Sequence, residues 1–418
     1  MTASELFVEG RSSWTLRASD GGVTGWRAER DCGLGWTERT RAEVRYRWEA
    51  IPHAPAGLPG ESAGPAEWAC DCGIHRTADE GLAMAVVGLC GRARAEGARG
   101  ATASLSGETR RRHVLAADRA ATNERAHVRV WLWITGAAAT ATLARVYPGR
   151  AKFLADVPHL ERAVAEAARD LGRPRAECAD GILPVVLAAG APALFFHEVY
   201  GHALEGDVVA GGGSYLGPLR GRAIAHELLT VVDDPLHPDA PAGLPVDDEG
   251  RPSRSVALID RGVVGEPLLH EASARQLGLP TNGHARRFNF RFGTLPRLTH
   301  VEVAGQAGAA ADLVAPIARG VLVRSLRLRH LNTVTGAFSC YLDDAREIRA
   351  GEVGPALTPG LLVGDGLSAA AAVDAVAAGP GDEPCGITGC GKLDQGPLVV
   401  SFQQPAVRLS AAEVRPWR

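Results

Sequence analysis

Apolar and polar residues alternate through the first fifty positions. Glu5–Gly10, Ser12–Glu29 and Ala42–Ala50 each show the two-residue period of half-buried strands, with turn signals at Asp20-Gly21-Gly22. The region therefore reads as short strands and turns. Residues 51–65 are rich in proline and glycine and read as a linker. Thr77–Glu96 carries an Ala/Leu/Val pattern that fits a helix, and residues 113–136 read as two strands around a polar turn at Asn123. Asp156–Leu171 places Leu160, Val164, Ala167 and Leu171 at helical spacing. Gly181–Ala189 is a short apolar run suited to a buried strand. A helix is expected to open after it near Pro192, a residue suited to a first helical turn, and to run through Phe195–Leu204.

Beyond this point the pattern is mostly that of strands: 228–235, 255–264, 300–305, 320–331, 337–348 and 397–409. These elements predict an α+β chain without a strict internal repeat, in three parts. They are an N-terminal α/β region (1–72), a central α+β region (73–180) and a strand-rich C-terminal domain (181–418).

Composition narrows the function. The 418 residues are 46% hydrophobic and 22% charged, which is globular composition. The 45 basic residues nearly balance 48 acidic ones, so no basic excess points to nucleic acid. The longest apolar stretch, 182–196, is broken by Pro184 and Pro192 and is too short to span a membrane. Glu5 and Glu9 stand where a secretory leader would be basic and then apolar, so the cytoplasm is the expected compartment. The eight cysteines are scattered, unlike a disulfide framework. In a reducing compartment an informative cysteine is then a metal ligand or a nucleophile.

The chemistry concentrates in Phe196–Asp207, which contains His197-Glu198-x-x-x-His202 on the expected helix. Histidines five residues apart are about 140° apart on a regular helix of roughly 3.6 residues per turn. Both rings reach one ion only if the turn widens near Gly201, as a π-bulge would; glycine makes such deformation easier. His197 and His202 then bind a zinc-like ion, and Glu198 takes the proton of the attacking water. A third ligand is required. Cys390, between Gly389 and Gly391, is the best placed, with Cys385 as the alternative.

Other motifs carry less. Gly386–Leu393 matches a phosphate loop up to Lys392 but ends in Leu393 where Ser or Thr must hold magnesium. Cys70, Cys72 and His75 lack a second half-site, and His226-Glu227 lacks its second histidine. Asp233-Asp234 and Asp247-Asp248 suit turns and caps, or an outer shell of hydrogen bonds to ligands.

Several ordered motifs resemble those of the TldD/PmbA metallopeptidases. They are HExxxH-x-x-E-G-D at 197–207, T-V-V-D-D at 230–234 and D-D-E-G-x-P at 247–252. Pro296-Arg297-Leu298-Thr299 and Cys390-Gly391-Lys392 followed by Gln404-Pro405 complete the set. The resemblance covers the last two hundred residues or so; the N-terminal part matches only in character.

It implies a TldD-like fold and a zinc peptidase or amide hydrolase in which His197, His202 and Cys390 hold Zn2+ and Glu198 is the base. It also implies pairing with a TldE/PmbA-like partner that lacks HExxxH, or self-pairing, and an extended peptide held through its main chain. Two departures mark a specialised substrate surface. His300 stands where the motif has asparagine, and bulky Leu326–Asn332 replaces a glycine-rich stretch. His300, Arg327, Arg329 and His330 are thus candidate substrate contacts. A small or modified-peptide amide of a biosynthetic route is the alternative substrate. A non-catalytic subunit with a structural metal is the alternative class.

Overall fold

The computed structural model describes residues 3–39, 44–50, 80–116, 118–137, 139–238, 240–379 and 385–417. The expected linker at 51–65, Cys70, Cys72, His75 and the 72/73 boundary lie outside the described residues.

The first sheet is antiparallel and six-stranded, in the order β3-β2-β1-β4-β5-β6. Its strands are β1 (Ala3–Ser19), β2 (Gly22–Arg39), β3 (Val44–Ala50), β4 (Gly100–Ala116), β5 (Arg119–Thr135) and β6 (Thr140–Tyr147). The first fifty residues therefore form two long strands and one shorter one in place of many short ones. The only reversal between β1 and β2 is at Asp20-Gly21, and the glycines further along lie within strands. Gly33 is one of them, where a Cβ would overlap the Phe290 ring.

The turn expected at Asn123 falls instead at Asp118. Asn123 pairs with Arg112 inside β5, and its amide donates to Val246 O at 2.8 Å. This long-range bond leaves no trace in the local pattern.

Helices α1 (Glu80–Ala95) and α2 (Arg150–Leu171) cover one face of the sheet. Leu82, Val86 and Leu89 of α1, with Phe153, Leu160 and Val164 of α2, pack on alternating Ala101, Ala103, Leu105, Val128, Val130, Leu132 and Ile134. Helix α2 starts six residues earlier than the pattern predicts and continues through Pro158. Buried Phe153 anchors the added turns edge-to-face on Tyr147 at 5.5 Å, and Tyr147 Oη donates to Asp156 at 2.6 Å.

In the remainder, β7 (Gly181–Leu187) runs into a composite helix over residues 191–204. A second sheet has the order β10-β9-β8-β13-β20-β19. It comprises β8 (Val231–Asp233), β9 (Val256–Asp260), β10 (Val263–Val264), β13 (His300–Val303), β19 (Gly386–Lys392) and β20 (Gln395–Gln403). The small ladder β11 (Ala285–Arg286) and β12 (Leu295–Pro296) lies between β10 and β13 in sequence.

The third sheet is built from β14 (Arg319–Leu331), β15 (Ala337–Arg349), β16 (Glu352–Ala356), β17 (Gly360–Asp365), β18 (Val373–Val376) and β21 (Val407–Pro416), together with β7. Because β14 pairs with β15 as well as with β7, the strands β14-β7-β21-β17-β15 close into a ring. The main apolar core fills the space between this ring, the composite helix and the second sheet. Phe195, Phe196, Tyr200, Val301, Phe338 and Phe402 belong to it.

Ion pairs, hydrogen bonds to backbone carbonyls and aromatic packing dock the first sheet on the rest. Arg112 on β4 forks onto Asp248 at 2.7 and 2.8 Å, Arg119 reaches Glu249 O at 2.5 Å, and Phe290 joins Phe7 and Val114. Among the described residues no helix is long and apolar enough to cross a membrane.

Candidate metal centre

The composite helix changes pitch three times, beginning with a 3-10 turn at Ala191–Ala193. Leu194–Phe196 is an α turn, His197–Gly201 a π turn and His202–Leu204 a 3-10 turn. In a π turn the repeat is i to i+5, so residue 202 returns to the side of residue 197. The imidazoles lie 5.0 Å apart between centroids at 82°. Gly201 itself has ordinary helical angles, φ −62° and ψ −55°. Its role is space: a Cβ would stand 2.6 Å from Leu298 Cδ2. The glycine admits a neighbouring side chain; it does not supply an unusual backbone angle.

The third side chain arrives from the second sheet. Strand β19 pairs with β20 so that Cys390 opposes Leu398 and Gly386 opposes Phe402. Alternation puts Cys390 and Phe402 on the same face, and Phe402 lies against His197 at 5.9 Å between rings. One donor atom each from His197, His202 and Cys390 falls within 4.8 Å of the others, with Cys390 Sγ 3.4 Å from His202 Nε2. Cys385, the residue just before β19, bonds Gln403 Oε1 at 3.3 Å and stands outside this group.

Chemistry of the donors favours an ion. His197 is fully buried, yet among the described residues neither ring nitrogen has a hydrogen-bond partner, a costly state for a buried polar group. Two imidazoles and a thiolate form a zinc-type ligand set with room for a further ligand. Burial by itself would raise the Cys390 thiol, but the facing His202 and His197 outweigh it and hold the thiol well below its usual 9.0. His202 moves the other way: burial lowers it, and the negative Cys390 and Glu205 raise it well above 6.5.

An outer layer orients these groups. Glu205 Oε2 meets His202 Nδ1 at 3.2 Å, which turns Nε2 toward Cys390. Lys392 Nζ bridges Glu205 at 2.9 Å and Asp207 at 2.6 Å, and Arg297 donates to the Cys390 carbonyl. Burial would raise Glu205, but His202 and then Lys392 pull it down to about 2. Glu198 lies 3.5 Å from His202 Nε2 and is half-buried. Sequence reasoning assigned no roles to Glu205, Asp207, Arg297 and Lys392. Their signal was adjacency: Glu205-Gly206-Asp207 follows the second histidine, and Lys392 follows Cys390 by two.

The other candidates lie elsewhere. His300 is buried in β13 beside Ser401, with Nδ1 2.9 Å from Ser401 Oγ. Ser401 and Phe402 are successive residues of β20, so His300 occupies the sheet face away from His197 and Cys390. Arg327, Arg329 and His330 are exposed at the end of β14. Arg327 pairs with Asp343 at 2.7 Å and covers Tyr341, while Arg329 covers Trp417.

Asp247 caps the 247–251 turn through Glu249 and Arg251 amides, and Asp233 accepts from Thr299. Gly386–Lys392 is a strand that turns into β20, not a loop leading to a helix.

Residues 180–415 match the family model described as the PmbA/TldA metallopeptidase C-terminal domain. A protein named metalloprotease TldD homolog from Buchnera aphidicola is 29% identical over 234 residues, covering 56% of this chain and 48% of that one. A zinc metalloprotease TldD homolog from Saccharolobus solfataricus is 35% identical over 120 residues, covering 28% of this chain and 26% of that one. The chain spans about half the length of the curated TldD homologs with the longest matches. The crystal structure of TldE from Thermococcus kodakarensis superposes with a TM-score of 0.78 at 17% identity, over 99% of this chain and 96% of that one. The fold is therefore shared along nearly the whole chain.

Proposed function

The chain belongs to the PmbA/TldD metallopeptidase family, and from that premise we propose that it is the metal-bearing subunit of a zinc-dependent peptide or amide hydrolase. One observation carries the reading. Two imidazoles and a thiol, with His202 and Cys390 separated by 188 residues, converge where the buried His197 nitrogens have no hydrogen-bond partner among the described residues.

His197, His202 and Cys390 hold the ion. Bound zinc supplies Lewis acidity to the scissile carbonyl and lowers the pKa of the attacking water. Glu198, beside His202, takes the proton of that water and returns it to the leaving amine. Glu205, held by Lys392, keeps His202 in the ligating orientation. Arg329 and His330 are our assignment for a substrate carboxylate, because Arg327 is already paired with Asp343. His300 is not carried forward as a substrate contact, because its sheet face is turned from the metal group.

The proposed assembly is a dimer with a TldE/PmbA-like partner or with a second copy. The bulky 326–332 stretch argues for a narrow substrate, a particular peptide or a small amide, over general peptide turnover.

Glu198→Gln tests this reading on a panel of unfolded peptides and small amides. The expected result is a loss of about 10²–10⁴-fold in turnover with zinc content unchanged. Unchanged turnover would leave the non-catalytic subunit with a structural metal as the better reading.

A further inference from the structure

We propose that the chain binds a second divalent metal, on the opposite face of the second sheet, through His237, His300 and Glu302. One donor atom of each lies within 4.8 Å of the others. None of the three belongs to the His197/His202/Cys390 group, so the inference stands apart from the proposed activity.

The register assembles the site. His300 opposes Ser401 and Glu302 opposes Gln403 in the parallel pair of β13 and β20. Alternation points this set away from Phe402, hence away from the composite helix. His237 comes from the turn after β8, and its ring stacks on that of His300 at 4.8 Å and 19°. His237 Nε2 stands 3.8 Å from Glu302 Oε2.

Three features argue for a ligand set over a chance meeting. His300 is fully buried, and its Nδ1 is engaged by Ser401, which turns the other ring nitrogen into the cluster. A hydrogen bond to the far nitrogen is the usual way a ligating imidazole is fixed. The Gln403 amide nitrogen bridges His237 Nε2 at 3.3 Å and Glu302 Oε2 at 3.5 Å, as a cation would bridge them. Two imidazoles with one carboxylate form a set that suits zinc and leaves coordination positions for water. The ion would tie His237, in the turn after β8, to β13.

Metal uptake by the full chain decides the question. The protein is stripped of metal and saturated with Co(II), and bound metal is counted by elemental analysis. The absorption spectrum then separates the sites, because only the Cys390 site has a sulfur ligand and hence a thiolate-to-cobalt charge-transfer band. Wild type is expected to take two ions per chain with one thiolate band. His237→Ala and Glu302→Gln, both at partly exposed positions, are each expected to lose one ion and keep that band, with the circular dichroism of wild type.

If wild type takes one ion that lacks the band and loses it in His237→Ala, the second site stands and the first fails. A single ion with the band overturns the proposal. So do two ions that persist in both variants.

Discussion

Strands β4 and β5 pair without interruption from Gly100 opposite Thr135 to Ala116 opposite Arg119. In the second sheet β8 contributes three residues and β13 four. The first sheet repeats one instruction many times, with apolar residues on alternate positions and two helices laid over them. The second is held by single polar ties. Asp233 accepts from Thr299 N at 2.9 Å and meets His284 Nε2 at 3.1 Å. Arg286 donates to the Leu298 carbonyl and to Val399 O at 2.9 Å. Regular pairing spreads stability over many equivalent contacts; singular ties place particular side chains, which is what a centre drawn from several elements needs.

The contrast is open to attack at three points. The largest effect is expected from Leu160→Ala on α2. A fully buried leucine lost from the apolar layer should cost about 2–5 kcal/mol in urea unfolding, while metal per folded chain stays unchanged. Loss of metal from the folded variant would show that the two regions are not separable.

Gly201→Ala should cost about 1–3 kcal/mol through overpacking on Leu298, and here metal affinity should fall as well, because the π turn must move. A variant with native affinity would refute the packing account of that glycine.

The smallest effect concerns Glu108 on β4. Burial raises this carboxyl, but Arg110 more than compensates and holds it at about 2, below the ordinary 4.5. A depressed folded value means stability that is full above pH 4.5 and drains away as pH falls toward 2. Wild type should lose about 1 kcal/mol over the first pH unit below 4.5, and Glu108→Gln should flatten that limb. An unchanged slope would remove this pair from the balance.

The same contrast explains what was legible in the sequence. Periodicity located α1 and α2, because each repeats its signal over several turns, but it broke the long strands of the first sheet into short ones and missed most of β4. It misplaced the start of α2, since Phe153 is anchored by Tyr147 and not by its own helical neighbours. It also put a turn at Asn123, whose partner Val246 lies in another part of the fold. The α+β class and the π-widened turn at His197–Gly201 were readable, because five-residue spacing between histidines has few geometric solutions. The Glu205–Lys392–Asp207 bridge and the grouping of His237 with His300 were not. They join residues that no local pattern connects, and only the sheet register brings them together.

The closed ring has a consequence for the order of synthesis. Strand β7, which leads into the composite helix, takes its neighbours from β14 and β21, and Cys390 lies between those two in sequence. A chain emerging N-terminus first can complete its first sheet and both covering helices early. The grouping of His197, His202 and Cys390 has to wait until β19, β20 and β21 have followed. Any activity that depends on this group can appear only after most of the chain has been made.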